Sequence, residues 1–250
     1  MKNNVMSNSP LGGDQRLPLY QQLRDDLARR IAAGEWLPDE AIPTEAEIKT
    51  AYNIAIGTVR KAVDALVAEG LLERSQGKGT FVRRPRFDAS LFRFFRFQNA
   101  AGEKIRPKSR ILARTVEYPA QVIATSLGLG ARVKAIRLLR LRVVENEPFL
   151  IEEIWLPRAR FSALLDLALE DFGDLLYPLY ESRCKQVVAS AQETLTVELA
   201  SPPFTDYLKV PPSTPLVVIE RIAYGYDKQP LEWRASRGAA ERFKYHVDIR

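Results

Sequence analysis

Cysteine and histidine are nearly absent from this chain of 250 residues: Cys184 and His246 each stand alone. A lone cysteine forms no internal disulfide and no thiolate metal cluster, and a lone histidine excludes a His-rich metal site. No apolar run approaches the roughly 20 residues that a membrane-spanning helix needs. The first residues, MKNNVMSNSPLGGDQ, lack the apolar core of a secretory signal, so residues 1–15 read as a disordered tail. These absences predict a cytoplasmic, reduced protein without metal or cofactor. The net charge of +6 is unevenly placed. Residues 1–85 hold 12 Lys/Arg against 11 Asp/Glu, so that half carries no broad cationic surface. Residues 74–110 hold 11 Lys/Arg against Asp88 and Glu103 alone. Such a stretch can neutralise phosphates, and a solvated basic linker fits it equally well.

What is present in the first third is a fixed order of parts. Leu19, Leu23, Leu27 and Ile31 repeat every four residues and predict one helix with an apolar stripe. Gly34 ends it, and Trp36, Leu37 and Ile42 supply apolar groups to pack beneath. Thr44 and Glu47 have the spacing of a capping box at the start of a second helix. Ile48 and Tyr52 face inward from that helix. After a turn at Asn53-Ile54-Ala55, a third helix runs from about Ile56 to Glu69, with Val59, Ala62, Val63, Leu66 and Val67 as its buried stripe. Gly57, Thr58, Arg60, Lys61 and Asp64 lie off that stripe. Two short strands, Leu71–Glu73 and Thr80–Val82, follow, joined through Gln76-Gly77-Lys78-Gly79. Helix, helix, turn, helix and hairpin are the parts of a winged helix-turn-helix, which lays one helix against DNA base edges with a β-ribbon beside it. Each part also has a plain reading: capping alone for Thr44, pairing with Asp64 for Arg60, an ordinary tight turn for the hairpin.

The residues Pro43-Thr44-Glu45, Thr58-Val59-Arg60-Lys61-Ala62-Val63, Glu69-Gly70-Leu71-Leu72 and Gly77-Lys78-Gly79-Thr80-Phe81-Val82 resemble the DNA-binding head of the GntR family of bacterial regulators. The resemblance implies DNA contacts from Thr44, Glu45, Gly57, Thr58, Arg60, Lys61, Arg74, Gly77, Lys78 and Gly79. Relatives often carry Arg, Ser and Arg where this chain has Ala46, Ala55 and Ile56. Of three usual arginines only Arg60 remains, which predicts a divergent operator that leans more on the basic 74–110 stretch.

Beyond Val82 the pattern changes. Ser90 to Phe97 alternates aromatic and basic residues, a mixture that stacks on bases or packs as an edge element. Strands are predicted at Arg110–Glu117, Val133–Val144, Phe149–Trp155, Gln186–Glu198, Leu216–Gly225 and Leu231–Arg237. Helices are predicted at Gln121–Leu127, Phe161–Leu169, Leu175–Arg183 and Phe204–Leu208. Strands joined by hairpins with helices between them indicate an α+β antiparallel-sheet domain. RLLRLRVVENEPFLIEEIW echoes VIERIAYGYDKQPLEWRAS, so two equivalent hairpins are expected, with a ligand cleft between them. Side chains two apart on a strand share a face, which puts Arg140 beside Arg142. Glu152 or Glu153 faces them across the hairpin, depending on turn length. The cluster reads as a site for an anion or as a sheet face laced by Arg–Glu pairs.

This half is similar to the UTRA effector-binding domain of the HutC subfamily, through Leu138–Pro157, Val188–Leu195, Lys228–Glu232 and Ser236–Val247. The resemblance implies a winged helix-turn-helix at residues 16–84 followed by a UTRA, chorismate-lyase-like domain at residues 85–250. It implies a homodimeric regulator, in the first instance a repressor, of a near-palindromic operator. Its small, anionic effector would lie against Ser90, Arg140, Arg142, Glu152, Tyr226 and Glu232. A chorismate-lyase-like enzyme and a constitutive DNA binder are the alternatives. The sequence offers no nucleophile–base pair for catalysis, and His246 reads as structural.

Overall fold

A computed structural model describes Leu11, residues 16–84 and residues 107–243. The tail at 1–15 (Leu11 apart), the aromatic–basic run with Ser90, and His246 lie outside the described residues. The chain divides into two units, Met1–Pro85 and Arg86–Arg250.

The first unit contains α1 (Leu19–Ala32), α2 (Glu45–Tyr52), α3 (Ile56–Ala68), β1 (Leu72–Ser75) and β2 (Gly79–Val82). β1 and β2 form the hairpin of the wing. The capping box is formed: Glu47 N–H donates to Thr44 Oγ1, and Thr44 N–H donates to Glu47 Oε2 at 2.7 Å. Asn53 closes α2 in the left-handed region, and α3 starts at Ala55 with no side-chain cap. Leu23, Leu27, Ile31, Trp36, Ile48, Val59, Ala62, Val63 and Leu66 form the core.

Two apolar assignments differ from expectation. Leu19 is 44% exposed and Leu37 is 39% exposed. Four residues advance a helix about 40° past a full turn, so a strict four-residue repeat drifts off its own face. Asp26, one residue before Leu27, takes up part of the buried side instead. Its carboxylate accepts from Tyr52 Oη at 2.5 Å, and Tyr52 in turn accepts from Arg30 at 2.7 Å, which ties α1 to α2. Burial and the Asp26 hydrogen bond push the Tyr52 phenol up to about 12.

In the second unit one antiparallel sheet runs β3 (Lys108–Glu117), β4 (Ala135–Val144), β5 (Glu147–Pro157), β8 (Pro230–Ala239), β7 (Pro215–Tyr224) and β6 (Ser190–Leu199) in spatial order. The two echoing segments are the hairpins β4–β5 and β7–β8, joined through β5 and β8, so the strand order is symmetric about the centre of the sheet. Gly238 allows that centre to close: a Cβ there would lie 2.6 Å from Leu150 Cδ2.

Helices cover both faces. α5 (Arg158–Phe161), two 3₁₀ turns (Ser162–Leu165 and Leu169–Phe172) and α6 (Leu176–Cys184) bring Phe161, Leu164, Phe172, Leu176 and Tyr180 onto Ile136, Leu138, Ile154 and Leu156. The expected helix Phe161–Leu169 is therefore a short helix ending at Phe161 and separate 3₁₀ turns. Arg114 of β3 donates to the carbonyls of Leu164 and Leu167 where the first 3₁₀ turn ends, supplying partners that a continued α-helix would have supplied itself. On the opposite face α4 (Gln121–Ser126) and α7 (Phe204–Leu208) pack against Trp155 and Trp233, and against Leu139 and Leu141, respectively. No helix among the described residues is long and apolar enough to cross a membrane.

Candidate functional site: a paired-arginine DNA face and a buried cationic sheet

In the head, α3 presents Gly57, Arg60, Lys61 and Asp64 to solvent. Space around Gly57 is open: a Cβ added there would meet nothing within 4 Å. Arg60 does not pair with Asp64. It donates through Nε to Glu45 of α2 at 2.9 Å, while Asp64 pairs with Arg74 of β1 at 2.6 Å. Lys61 sits 4.1 Å from the centre of the Tyr20 ring, a cation–π contact. The wing turn carries Lys78 between Gly77 and Gly79, whose φ values of 71° and 126° suit residues without a Cβ. Thr44 is engaged in the cap of α2.

In the sheet, the register decides between the two glutamates. Arg140 is opposite Glu152, and Leu139 is opposite Glu153. Glu153 lies on the other face, where it accepts from Arg137 at 2.8 Å. Glu152 is fully buried and receives Arg140 Nε at 2.5 Å, Arg234 at 3.3 Å and Ser236 Oγ at 3.2 Å. Burial opposes its ionisation, yet the guanidiniums of Arg140, Arg234 and Arg142 outweigh this and hold the carboxyl well below its ordinary value of 4.5. Glu232, also fully buried, accepts from Arg234 at 2.7 Å and from Tyr180 Oη at 2.7 Å, with Tyr177 Oη at 3.4 Å. Burial and the neighbouring Glu232 push the Tyr180 phenol well up, so Tyr180 acts as donor. Arg221, opposite Arg234, bonds Glu193 of β6 through Nε at 2.6 Å and reaches Tyr177 Oη at 3.2 Å.

Among the described residues, Arg140, Arg221 and Arg234 each hydrogen-bond a carboxylate, whereas the fourth buried guanidinium, Arg142, is attracted by Glu152 and Asp174 without bonding either. It is 5% exposed and has no hydrogen bond or ion pair among the described residues. Burial, its largest influence, lowers its value to about 10 against the attraction of Glu152. Arg140 Nη1 and Arg234 Nε are likewise buried without a hydrogen-bond partner among the described residues. Unmet donors on buried cations suit an anion with several acceptor oxygens. No group of three or more metal-ligating side chains occurs among the described residues.

Of the residues expected at the effector site, Arg140, Arg142, Glu152 and Glu232 come together on this face. Tyr226 is buried in the β7–β8 turn rather than on the strands that carry the cluster, and Ser90 lies outside the described residues. Arg221, Arg234, Ser236, Tyr177 and Tyr180 were not anticipated. The internal repeat is the signal that could have found Arg221, which occupies in its hairpin the place that Arg140 occupies in the other; Tyr177 and Tyr180 lie on α6, outside the repeat.

Comparison with known proteins gives the same division. Residues 19–82 match the family of bacterial regulatory proteins called gntR, and residues 102–244 match the UTRA domain. The chain is 30% identical over 237 residues to the "Probable fructoselysine utilization operon transcriptional repressor" of Escherichia coli O157:H7, covering 92% of this chain and 94% of that one. It is 27% identical to the HTH-type transcriptional repressor NagR of Bacillus subtilis, covering 98% of each. Among solved structures, PhnF from Mycobacterium smegmatis superposes with a TM-score of 0.54 at 22% identity, covering 91% of this chain and 98% of that one, a likeness of fold.

Proposed function

The chain belongs to the gntR family of bacterial regulatory proteins and carries its UTRA domain behind the DNA-binding head, and from that premise we propose that it is a cytoplasmic, homodimeric repressor released or engaged by an anionic metabolite. Residues 16–84 read the operator, and residues 85–250 bind the effector and pair the subunits. The buried cation left unbonded among the described residues, Arg142, carries the anionic reading. A free protein that holds an unpaired guanidinium in a packed sheet gains most when an anion arrives. The site binds rather than turns over its ligand, because Glu152, Glu193 and Glu232 are each engaged by arginine, and Glu152, which accepts from Ser236 Oγ, is held as too weak a base to activate that hydroxyl. Arg140, Arg142, Glu152 and Glu232 form the effector site. Thr58, Arg60, Lys61, Arg74 and Lys78, with the glycines of α3 and the wing, meet the DNA.

A ligand shifts only an equilibrium between states that it binds unequally. Here those states are two placements of paired heads, one of which sets the recognition helices about 34 Å apart on one face of DNA. The test combines a thermal-shift screen of sugar phosphates, carboxylates and imidazole metabolites with gel shifts on the chain's own promoter region. A compound that raises the melting temperature is expected to change operator affinity about tenfold or more. Stabilisation with no effect on DNA binding would refute the coupling.

One edge of the sheet supports the dimeric reading. Among the described residues β6 is an edge strand, and Leu195, Val197 and Leu199 project from it exposed, Val197 and Leu199 by more than 60%. An apolar edge with unpaired backbone groups is a surface that a second copy covers. Val197→Lys with Leu199→Lys is expected to turn a dimer into a folded monomer in light scattering, with weakened operator binding. A wild-type monomer, or an unaltered dimer in the double variant, would refute this surface.

A further inference from the structure

In the head, arginines from two different elements converge on one carboxylate. Glu45, the first residue of α2, accepts from Arg60 Nε of α3 at 2.9 Å and from Arg74 of β1 at 3.3 Å, while another nitrogen of Arg74 reaches Asp64 of α3. These side chains are partly exposed, with Arg60 at 65%, so the pairs contribute little to stability. What they fix is direction. Held through Nε, the Arg60 guanidinium has its plane set, and both Nη groups stay unbonded among the described residues. That outward fork has the geometry that grips guanine O6 and N7 or a phosphate.

The reading face has few cations to spare. Ala46 and Ile56 supply none, and Lys61 lies over Tyr20. A carboxylate among them lowers attraction to phosphate and so weakens binding to every duplex alike. Its presence is understandable where discrimination matters more than affinity. We propose that Glu45 is a positioning residue that sets sequence discrimination, aiming Arg60 at a base edge and aligning the wing arginine Arg74 with it. The proposal rests on the DNA-reading function given above and names the residue that selects among duplexes.

The experiment starts from a randomised duplex pool enriched on the full-length protein, which yields a selected duplex; a shuffled duplex of equal composition is the reference. Glu45→Gln is expected to bind the shuffled duplex at least as tightly as wild type while losing about tenfold of the preference for the selected one. Its log affinity should fall more steeply with log salt, by about one, because freed arginines move onto phosphates. Arg60→Ala should lose the same preference with a shallower slope. The melting temperature of Glu45→Gln should stay within about 2 °C of wild type, since only surface pairs are lost. An unchanged preference and slope, or an equal loss on both duplexes, would overturn the proposal. A wild-type protein that enriches no sequence would instead overturn the regulator reading on which it rests.

Discussion

Glu152→Gln is expected to destabilise the second unit by about 3–5 kcal/mol, the cost of leaving buried cations without their countercharge. The replacement keeps shape and some hydrogen-bonding capacity, so lost packing does not explain the effect. What disappears is the one carboxylate that receives Arg140, Arg234 and Ser236 together. Arg234 keeps Glu232, but Arg140 has no second acidic partner among the described residues. For a unit of this size the loss amounts to a fall in melting temperature of about 6–20 °C. Arg140→Gln added to Glu152→Gln should cost less than the sum of the two changes, because the second removes a charge that the first has orphaned. A single variant within about 1 kcal/mol of wild type would mean that the cluster is better hydrated than its burial indicates.

The pH dependence has a definite sign. The folded-state value of Glu152 lies below its ordinary 4.5, so its contribution to stability is present above about pH 4.5 and is lost as pH falls further. The gap between wild type and Glu152→Gln should therefore be widest near neutrality and narrow in acid. A gap that widens on acidification would contradict the ion pairing.

How much of this was legible beforehand follows from how far apart the partners are in the chain. The head is made of local devices: a capping box four residues long, a helical stripe and a four-residue glycine turn. Local devices leave local signatures. The exception there, Arg60, illustrates the limit. Spacing pointed to Asp64 on the same helix, whereas the available partner was Glu45, brought in from another helix. In the sheet, two-residue alternation placed Arg140 and Arg142 on one face, but a single residue of uncertainty in the turn left Glu152 and Glu153 equivalent. Register shifts decide such cases, and one falls between Arg142 and Val143. Arg221 and Arg234 enter the cluster only because β5 pairs with β8, a contact between residues about eighty positions apart. The repeat made that pairing reasonable, yet no spacing rule made it necessary.

Replacing Arg142 should have the opposite effect to replacing its neighbour: Arg142→Met is expected to stabilise the ligand-free protein. Burial lowers this guanidinium to about 10, so the native state carries a charge that its surroundings disfavour. A depression of that size corresponds to roughly 3 kcal/mol. Because a base with a lowered value is still charged below about pH 10, the cost applies in full at neutrality and is relieved only as pH rises through 10. A side chain of similar length without charge escapes it, as buried ion clusters replaced by apolar groups often do. The same substitution removes the anion's main partner. Saturation at a hundred times the dissociation constant stabilises wild type by about 2.7 kcal/mol, and the variant should gain nothing from the same compound. The two effects are of similar size and opposite in sign, so the order of melting temperatures should depend on ligand: variant above wild type without the anion, and level with or below it when the anion saturates. The cost of holding Arg142 uncompensated is then the free energy that makes the site respond to its effector. If Arg142→Met melts lower than wild type without ligand, or is still stabilised by the same anion, Arg142 is a structural residue and the effector binds elsewhere.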